Sequence, residues 1–405
     1  MKCGLLGQKL GHSYSPQIHG LLGDYSYRLF EKQPEELEAF LAQGDFHGLN
    51  VTIPYKKAVI PFLSELSPVA AGMGAVNTIV RRADGSLIGH NTDYFGFKTM
   101  VEASGLKPAG KKTLVLGSGG ASNTAVAVME ELGSQVIVIS RSGENNYNNL
   151  DQHQDAAIIV NATPVGMFPQ VDASPISLEM FPGLEGVLDL IFNPARTRLL
   201  QDAEARGLVA MNGLLMLVAQ AKESAEWFTG NNIEDDKITA IHQILRQQMQ
   251  NIVLVGMPGC GKSMIAKTLA QMTGKEVVDA DAQIVATAGM KIPEIFAQGG
   301  EESFRKIETQ VLSELGKRSG IILATGGGCV TRAENYPLLH QNGTIFWIKR
   351  DIDQLPTKGR PISQSTNLHK LYEIRRPLYE AFADHVIEND GTLQEAAEKI
   401  LGRSL

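Results

Sequence analysis

One stretch, residues 251–263, constrains the fold of this chain more than any other. It begins with a short apolar run at residues 252–255 and continues through a glycine-rich loop to Lys262 and Ser263. A helical pattern follows and ends at Gly274. Strand, glycine loop, Lys-Ser and helix in this order are the context that a phosphate-binding P-loop requires, whereas the alternative is an ordinary glycine-rich turn before a helix. The pattern predicts a nucleotide-binding domain of the α/β class.

The residue types of this loop suit phosphate binding. Glycines allow successive backbone N–H groups to turn inward around phosphate oxygens, and the helix N-terminus adds a positive dipole end. We expect Lys262 to reach the outer phosphates and the Ser263 hydroxyl to hold Mg²⁺. A P-loop strand normally comes first in its domain, so a complete protein unit is expected to precede it. The loop residues predicted to bind the nucleotide are Gly256, Met257, Pro258, Gly259, Cys260, Gly261, Lys262 and Ser263.

The 405 residues suit two or three domains, and the composition excludes several classes of protein. Apolar residues make up 43% and charged residues 20%, which is typical of globular proteins, and the net charge of −7 argues against nucleic-acid binding. Three scattered cysteines are too few for a disulfide framework or a zinc site and fit a reducing cytoplasm. No apolar run approaches the ~20 residues of a membrane span. We therefore expect a cytoplasmic protein with no membrane or nucleic-acid partner.

A second nucleotide-binding pattern occupies the middle of the first half. A buried-strand run at residues 113–116 leads into the glycine loop 117–122, a helix at residues 124–132 and a second strand at residues 135–139. This βαβ unit places a glycine turn against a helix N-terminus, as a dinucleotide pyrophosphate needs. The spacing departs from G-x-G-x-x-G because Ser122 holds the third glycine position.

The end of the second strand indicates the choice of cofactor. An NAD site has an acid there for the ribose 2′-hydroxyl, whereas this chain has Arg141 between Ser140 and Ser142, which suits a 2′-phosphate. Two further strands, at residues 157–160 and 186–190, alternate with helix-like segments, as in a parallel sheet. The sequence therefore predicts an NADP-binding Rossmann-like domain.

Several polar residues in the first hundred positions have both a structural and a functional interpretation. Pro16 suits the first turn of a helix with Ser15 as its N-cap, but capping leaves Ser13 unexplained. Lys56 follows a strand at residues 48–53, and its position alone favours a solvated lysine over a functional one. Three further residues close or follow strand-like runs and could each form a turn: Asn77, Asn91 and Asp93.

The second half carries similar signals after its strands. The strand at residues 277–281 ends in two acids one residue apart, and alternation would put both on one side. They could cap or turn the chain, or one could serve the water shell of a metal and the other a substrate hydroxyl. Three glycines, residues 326–328, follow the strand 321–324, which favours a close approach of something to the backbone. Residues 359–361 lie in an irregular polar stretch and are a candidate lid.

Taken together, the stretches of the first half resemble shikimate dehydrogenase over nearly all of residues 1–248. This resemblance implies a substrate-binding domain, a Rossmann NADP domain and the NADPH-dependent reduction of 3-dehydroshikimate to shikimate. The motifs that carry it are Gly11-His12-Ser13-Tyr14-Ser15-Pro16, Asn50-Val51-Thr52-Ile53-Pro54-Tyr55-Lys56, Gly74-Ala75-Val76-Asn77-Thr78, Asn91-Thr92-Asp93, the loop 117–122, Asn161-Ala162-Thr163-Pro164-Val165-Gly166-Met167 and the helix start at residues 213–220.

The resemblance also implies roles for individual residues. Ser13 and Ser15 would bind the substrate carboxylate, and serine rather than threonine at the second position favours shikimate over quinate. Lys56 and Asp93 match the catalytic pair, and a lysine beside a carboxylate can polarise a ketone oxygen and relay a proton to it. The residues matching those that hold ring hydroxyls are Thr52, Asn77 and Gln220. The predicted NADP contacts are Gly117, Ser118, Gly119, Gly120, Ala121, Ser122, Ser140, Arg141, Ser142, Ile191 and Gly213.

Residues 251–405 resemble shikimate kinase, which implies phosphorylation of shikimate with ATP and Mg²⁺. The motifs are the P-loop, Asp279-Ala280-Asp281, Phe304-Arg305, Gly326-Gly327-Gly328, Gly359-Arg360-Pro361 and Arg375. Asp279 would support Mg²⁺ with Ser263, and Arg360 of the lid would bind ATP and meet the transferring phosphate. The catalytic residues would be Lys262, Asp281 and Arg360. The residues that would hold shikimate are Asp281, Arg305, Gly327, Gly328 and Arg375.

Two features depart from the kinase pattern. The segment between Arg360 and Arg375 is shorter than usual, and the stretch before Gly359 lacks an expected Arg-Thr pair. Both departures bear on the geometry of the lid.

We therefore predict a bifunctional α/β enzyme, a monomer or homodimer, with a substrate domain at 1–100 plus 213–249, an NADP domain at 101–212 and a kinase domain at 250–405. One rival keeps this architecture but joins a quinate-type dehydrogenase to another small-metabolite kinase. Another is a regulatory protein that only binds nucleotides. Four intact residues weigh against the regulatory protein: Lys56, Asp93, Lys262 and Asp281.

Overall fold

The computed structural model describes every residue except 12, 356–367 and 404–405. The chain forms two compact units. The first unit comprises Met1–Gly166, Ala173–Phe192 and Leu199–Ile244, and the second comprises Met167–Asp172, Asn193–Arg198 and Leu245–Leu405. Within the described part of the chain, no helix is long and apolar enough to cross a membrane.

The N-terminal part of the first unit is built on a mixed sheet. Its six strands are β1 Lys2–Gly7, β2 Ser26–Glu31, β3 Gly48–Val51, β4 Glu65–Leu66, β5 Thr78–Arg81 and β6 Leu87–His90. Their order is β2-β1-β3-β5-β6-β4, and β5 runs antiparallel to both of its neighbours. Leu6, Leu49 and Ile79 are fully buried at the centre of its core. Four helices accompany this sheet: α1 Ser15–Leu22, α2 Leu37–Gln43, α3 Pro68–Met73 and α4 Asp93–Ser104.

The rest of the first unit is built on a second sheet, which is wholly parallel as predicted. Its strands are β7 Lys112–Leu116, β8 Gln135–Ile139, β9 Ile158–Asn161, β10 Gly186–Asp189 and β11 Val209–Asn212, in the order β11-β10-β9-β7-β8. Strand order reverses at β7, and the carboxyl ends of β7 and β9 therefore bound the crevice where such sheets bind ligands. The helices here are α5 Gly120–Glu131, α6 Arg198–Ala205, α7 Leu214–Thr229 and α8 Asp236–Met249.

Helices α4 and α7 pack closely together, and this packing positions polar residues from both. A Cβ atom added at Gly96 of α4 would lie only 2.7 Å from the carbonyl oxygen of Met216 on α7. Glycine at this position therefore lets the two helix backbones approach. Asp93 begins α4 and Gln220 lies in the second turn of α7, so the contact brings these two predicted site residues into one region.

The second unit contains a parallel sheet around the P-loop strand. Its strands are β12 Asn251–Val255, β13 Glu276–Asp279, β14 Ile321–Ala324, β15 Gly343–Lys349 and β16 His385–Glu388, in the order β13-β14-β12-β15-β16. The P-loop strand β12 is central, and all five of its residues are buried. The helices are α9 Lys262–Thr273, α10 Ala280–Ala288, α11 Ile292–Lys317, α12 Asn335–His340, α13 Leu368–Phe382 and α14 Leu393–Leu401.

The prediction that Ser15 caps a helix is wrong. Tyr14 is the N-cap of α1 and makes no side-chain capping bond, while Ser15 is the first helical residue. The Ser13 hydroxyl instead accepts a hydrogen bond from the Ser15 N–H at 3.2 Å. This hydrogen bond within the local turn gives Ser13, for which helix capping offered no role, a structural role.

The prediction of two acids alternating along one strand is also wrong. Strand β13 ends at Asp279, whose carboxylate caps α10 by accepting the N–H of Ala282. Asp281 lies in the first turn of α10. The two carboxylates are therefore placed by a strand-to-helix junction, because the capping bond of Asp279 starts a helix where the strand was expected to continue.

Glycine interrupts the helical path at two positions. Helices α7 and α8 are separate, because Gly230 adopts a left-handed conformation with φ of 68° and closes α7. Helix α11 is kinked at Gly300, where φ is 69°. Only glycine adopts such a conformation readily, so each break is encoded by one residue.

Candidate active sites

The first candidate site contains a lysine and a carboxylate in direct contact. The Nζ atom of Lys56 lies 2.6 Å from Oδ2 of Asp93, and the two side chains are 29% and 15% exposed. Asp93 is the first residue of α4, where the helix dipole favours its negative charge. The Asn77 amide donates to the other Asp93 oxygen at 2.9 Å. The carboxylate is therefore held from two sides, while the ammonium of Lys56 remains accessible to a ligand.

A buried hydrogen-bond network continues from this pair. Asn77 Oδ1 accepts the Thr92 N–H at 2.7 Å, and Asn77 Nδ2 donates to the Thr92 hydroxyl at 3.0 Å. The Thr92 hydroxyl also lies 3.5 Å from Oε1 of Gln220. Hydrogen bonds therefore bring together four of the predicted residues, namely Lys56, Asp93, Asn77 and Gln220.

The remaining predicted substrate residues lie at the ends of the first sheet. Thr52 follows β3, and its side chain makes no hydrogen bond to any residue that the structure describes. Burial raises the pKa of the Tyr27 phenol well above its usual range, the neighbouring Tyr25 adds to the rise, and the nearby Ser15 hydroxyl opposes it. The Tyr27 hydroxyl donates to Asn50 at 2.7 Å. Tyr27 therefore links the predicted carboxylate site to the interior of the sheet.

Sequence reasoning missed several members of this network, although most lay inside quoted motifs. Asn50 donates to the hydroxyl of Ser224 at 2.7 Å across 174 residues of chain. Ser224 lies four residues after Gln220 on α7, a spacing that puts both on one helix face. This helical spacing from a predicted residue was the signal that could have identified Ser224. The missed members are Tyr27, Asn50, Thr78, Thr92 and Ser224.

The predicted NADP loop has the geometry of a phosphate-binding turn. Strand β7 ends at Leu116, Gly117 has a φ of 107°, and α5 begins at Gly120. The Ser122 hydroxyl donates to the Gly117 carbonyl oxygen at 2.7 Å. Ser122 therefore fastens the loop to the end of the strand. This hydrogen bond explains structurally why serine can replace the third glycine of the fingerprint. The loop N–H groups at the N-terminus of α5 fit a pyrophosphate.

The other predicted NADP contacts surround this loop in the same sheet. Arg141 is exposed and makes no ion pair with any described residue, and Ser142 beside it is also exposed. Ile191 is buried, and its N–H donates to the Asp189 carboxylate at 3.1 Å. A Cβ at Gly213 would lie 2.2 Å from the Leu190 carbonyl oxygen, so that turn requires glycine. These features fit a dinucleotide laid across the carboxyl ends of the strands.

The second candidate site is a cavity of about 690 Å³ in the second unit. Three predicted P-loop residues do not line it, because Met257 and Cys260 are buried in the core and Gly256 lies at the start of the loop. Arg360 lies outside the described residues. The predicted residues that line the cavity are Pro258, Gly259, Gly261, Lys262, Ser263, Asp279, Asp281, Arg305, Gly327, Gly328 and Arg375.

The P-loop backbone has the predicted glycine conformations. Gly256, Gly259 and Gly261 have φ values of 142°, 90° and 106°, which side chains rarely allow. The Nζ atom of Lys262 lies 2.8 Å from the Gly256 carbonyl oxygen and 3.1 Å from that of Met257. The Lys262 side chain therefore folds back over the P-loop, where the phosphates of a nucleotide would bind.

Asp279 and Asp281 stand at the junction of β13 and α10. Burial raises the pKa of Asp281, the nearby Asp279 carboxylate raises it further, and Lys262 and Arg305 oppose the rise. The described residues contain no group of three or more metal-ligating His, Cys, Asp or Glu side chains. The one carboxylate and one hydroxyl of the predicted metal set fit Mg²⁺, which commonly takes most of its ligands from phosphate oxygens and water.

Two arginines meet the glycine run after β14. Arg305 pairs with Glu308 at 2.7 Å, and both side chains are at most 5% exposed. A Cβ at Gly328 would lie 2.1 Å from Nη2 of Arg305, so a side chain there would have to displace the guanidinium. Arg375 donates to the Gly327 carbonyl oxygen at 3.2 Å. The glycines therefore allow the two guanidinium groups to approach the backbone on one wall of the cavity.

Sequence reasoning missed the partners of these arginines. Glu301 and Glu308 lie four residues before and three residues after Arg305, and both contact its guanidinium. Tyr379 lies four residues after Arg375 and donates to the same Gly327 carbonyl. Helical spacing from each predicted arginine was therefore the signal that could have found them.

Family models match residues in both halves of this chain. The family model described as "Shikimate dehydrogenase substrate binding domain" matches residues 5–79, and the model described as "Shikimate kinase" matches residues 258–404. A curated relative from Exiguobacterium sibiricum, "Shikimate dehydrogenase (NADP(+))", is 35% identical over 273 residues, which cover 62% of this chain and 99% of that protein.

Solved structures agree with this result. Shikimate dehydrogenase 1 from Peptoclostridium difficile is 37% identical, covers 60% of this chain and 97% of its own, and gives a TM-score of 0.55. Shikimate 5-dehydrogenase from Thermus thermophilus, solved in complex with shikimate, is 31% identical, covers 60% of this chain and 98% of its own, and gives a TM-score of 0.54.

Proposed function

We propose a bifunctional enzyme, on the premise that this chain belongs to the shikimate dehydrogenase family over about 60% of its length and carries a shikimate kinase domain at its C-terminal end. The first site reduces 3-dehydroshikimate to shikimate with NADPH, and the second phosphorylates shikimate with ATP and Mg²⁺. The observation that carries the proposal is that two sets of polar residues, each suited to one of these reactions, occur in one chain. We retain the three domains and the site roles predicted from the sequence as part of this proposal.

In the reduction, the residues of this chain bind the substrate and move a proton. Ser13 and Ser15 hold the ring carboxylate, and Thr52, Asn77 and Gln220 hold its hydroxyls. The bound cofactor supplies the hydride that the ketone carbon needs. Lys56 donates the proton to the ketone oxygen, and the contact of 2.6 Å to Asp93 orients its ammonium group and stabilises its charge.

In the phosphorylation, Arg305 and Arg375 hold the shikimate carboxylate beside the glycine run. Asp281 accepts the proton of the attacking hydroxyl, whose oxygen forms a bond to the γ-phosphorus while the bond to the leaving ADP oxygen breaks. Burial raises the pKa of Asp281, which favours acceptance of that proton. Lys262 stabilises the charge on the outer phosphates, and Asp279 and Ser263 would hold Mg²⁺ beside them.

A coupled assay on the purified chain tests this proposal. Dehydroshikimate and NADPH are added first and NADPH consumption is followed, and then ATP and Mg²⁺ are added and ADP release is followed. We expect both signals, with Lys56→Ala abolishing most of the first and Asp281→Asn most of the second. Absence of NADPH consumption by the wild-type chain would overturn the dehydrogenase assignment, and absence of shikimate-dependent ADP release would overturn the kinase assignment.

The same preparation tests the quinate-type rival. Quinate and shikimate are each supplied with the oxidised cofactor, and the two values of kcat/KM are compared. Ser15 favours shikimate, so we expect quinate to be oxidised much more slowly. Equal or faster oxidation of quinate would favour the rival.

A further inference from the structure

Arg350 is a cation of the kinase cavity to which neither the resemblance nor the proposed mechanism gives a role. It follows β15 directly and lines the same cavity as Gly259, Lys262 and Ser263. A Cβ at Gly256 would lie only 2.4 Å from the Ile348 carbonyl oxygen, so the start of the P-loop lies against the end of β15. Arg350 therefore lies at the same end of the sheet as the P-loop and next to that loop.

The guanidinium of Arg350 lacks the partners that the other cavity cations have. Its Nε atom is buried without a hydrogen bond, and Arg350 forms no ion pair with any residue in the described ranges. In contrast, Lys262 contacts two carbonyl oxygens, Arg305 contacts two glutamates, and Arg375 contacts the Gly327 carbonyl. A buried donor on a charged group is unfavourable until an acceptor reaches it, and an anionic ligand in this cavity would supply one.

The sheet order indicates which anion this is. The shikimate carboxylate is assigned to Arg305 and Arg375 at the glycine run, which follows β14 on one side of the central strand β12. Arg350 follows β15 on the other side of β12. Of the two anionic ligands of the proposed kinase, only the nucleotide contacts the P-loop between these two sides.

We propose that Arg350 binds a phosphate of ATP. This inference rests on the proposed kinase function. It adds a second cationic contact to the phosphates, from the end of β15, beside that of Lys262. A planar guanidinium can donate two parallel hydrogen bonds to phosphate oxygens, which gives both affinity and orientation.

Nucleotide binding by the full chain tests this role without depending on catalysis. The variant is Arg350→Ala, and the matched control is Arg318→Ala, which removes an exposed arginine of the same unit that pairs with Glu276. We expect Arg350→Ala to weaken ADP binding in calorimetry by roughly ten- to one-hundredfold, as loss of a charge-assisted contact implies. Adenosine binding should not change, and Arg318→Ala should leave both affinities unchanged.

Kinetics complete the test. Arg350→Ala should raise the KM for ATP by a similar factor and leave the KM for shikimate nearly unchanged, and Arg350→Lys should recover part of the loss. Unchanged ADP affinity, or equal losses for ADP and adenosine, would overturn the role. A wild-type chain that binds ADP but shows no shikimate-dependent turnover would contradict the kinase proposal and leave the phosphate contact itself measurable.

A second inference comes from the dehydrogenase site and rests on a different observation. Ser224 is completely buried on α7, and its hydroxyl lies 2.7 Å from the Asn50 amide nitrogen and 2.9 Å from the hydroxyls of Thr78 and Thr92. It also lies 2.9 Å from the carbonyl oxygen of Gln220. One hydroxyl offers one donor and two acceptor positions, so these four neighbours exceed its capacity and at most three of them bond to it at one time.

These contacts join the two ends of the site. Asn50 connects Ser224 to Tyr27 beside the predicted carboxylate serines, and Thr92 connects it through Asn77 to Asp93. We infer that Ser224 is a positioning residue, which fixes the distance between carboxylate binding and the Lys56–Asp93 pair. The inference rests on the proposed reduction.

Ser224→Ala should lower kcat for dehydroshikimate by about tenfold and raise its KM, because Asn50 loses a hydrogen-bond acceptor and Thr92 loses a hydrogen-bond partner. The KM for NADPH should not change. The matched control is Thr99→Ala on α4, whose hydroxyl bonds to the Phe95 carbonyl in its own helix and to no other residue that the structure describes. A variant with lower stability but unchanged kcat and KM would overturn the positioning role, and an inactive wild-type chain would instead contradict the proposed reduction.

Discussion

Lys56 contributes a positive charge at the point where the proposed reduction needs a proton. Its ammonium contacts Asp93, and Asp93 is held in turn by Asn77, so loss of the lysine removes the donor without removing its support. We expect Lys56→Ala to lower kcat by about 10²–10⁴, the usual contribution of general acid–base catalysis. Steady-state kinetics with dehydroshikimate and NADPH measure this.

The neighbouring lysine provides the control for this prediction. Lys57 is exposed and has no side-chain partner among the described residues, so Lys57→Ala should leave kcat unchanged. An unchanged kcat with a raised KM in Lys56→Ala would make Lys56 a binding residue only.

Arg141 should determine the preference for NADP over NAD. Its guanidinium is exposed after β8, beyond the Gly117 loop, and would make a charge-assisted contact of roughly 1.5–3 kcal/mol with the 2′-phosphate. Arg141→Ala should therefore raise the KM for NADPH by about one to two decades and change NADH use little. Lys107→Ala, which removes an exposed cation elsewhere in the same unit, should alter neither. Equal losses with both cofactors would contradict this role.

His19 should make the first unit sensitive to acid. It is 1% exposed, stacks on Tyr27 with ring centroids 4.0 Å apart, and bonds to the Tyr25 hydroxyl at 2.7 Å. Burial lowers the pKa of His19 to about 3, whereas an unfolded histidine titrates near 6.5. Between these values the unfolded chain binds the proton and the native chain does not, so stability should fall as the pH falls below about 6.5.

A tryptophan reporter allows this contribution to be measured. Trp227 lies in the first unit and Trp347 in the second, so Trp347→Phe leaves a reporter for the first unit alone. In that background, His19→Phe should reduce the slope of unfolding free energy against pH by up to about 1.4 kcal/mol per pH unit. The absolute stability of this variant will also fall because Tyr25 loses its hydrogen-bond partner, so only the slope is diagnostic. Parallel slopes would show that His19 does not titrate in this way.

At the scale of elements, Lys275 should stabilise the end of α8. Its Nζ atom donates to the carbonyl oxygens of Gln247, Gln248 and Gln250, at 2.8, 2.8 and 2.9 Å. Burial lowers the pKa of Lys275 to about 8, so at about pH 7 it remains charged and can donate all three hydrogen bonds. The last carbonyl groups of a helix have no N–H donor within that helix, so a cationic side chain at this end can bond to them.

We therefore expect Lys275→Met to destabilise the second unit by about 1–2 kcal/mol near pH 7. Denaturant unfolding followed by Trp347 in a Trp227→Phe background measures this. Lys267→Met, on the exposed face of α9, is the control and should change stability little. A loss no larger than that of the control would show that water satisfies these carbonyls equally well.

Local chemistry explains why the sequence predicts some elements better than others. The parallel strands and both nucleotide loops follow from short apolar runs, glycine turns and helix starts, which are local patterns. The Asp279 cap and the break at Gly230 depend on single residues that also suit other conformations. The contact between Asn50 and Ser224 joins positions 174 residues apart, and no local pattern encodes such a meeting. The motifs therefore locate the sites, while tertiary packing chooses the partners that orient them.

At the scale of the whole molecule, the second unit begins before the P-loop strand. It includes the end of α8, where Leu245 and Met249 are buried, and the carbonyls that Lys275 contacts. It also includes Asn193–Arg198, where the Arg196 N–H donates to the Gln341 carbonyl at 2.8 Å. A kinase fragment cut at residue 250 therefore loses buried side chains and hydrogen bonds that the full chain provides.

Two fragments separate these contributions. We expect fragment 251–405 to fold around its own five-stranded sheet and to keep shikimate-dependent ADP release, but with lower stability than the same unit in the full chain. Fragment 236–405 keeps all of α8 and should recover the part of that loss that comes from Leu245, Met249 and the Lys275 contacts. Thermal unfolding followed by Trp347 measures both, and fragment 1–250 should keep NADPH-dependent reduction. A fragment 251–405 that stays unfolded while 236–405 folds would make α8 an obligatory part of the kinase, and equal stability of the two would show that α8 contributes nothing to it.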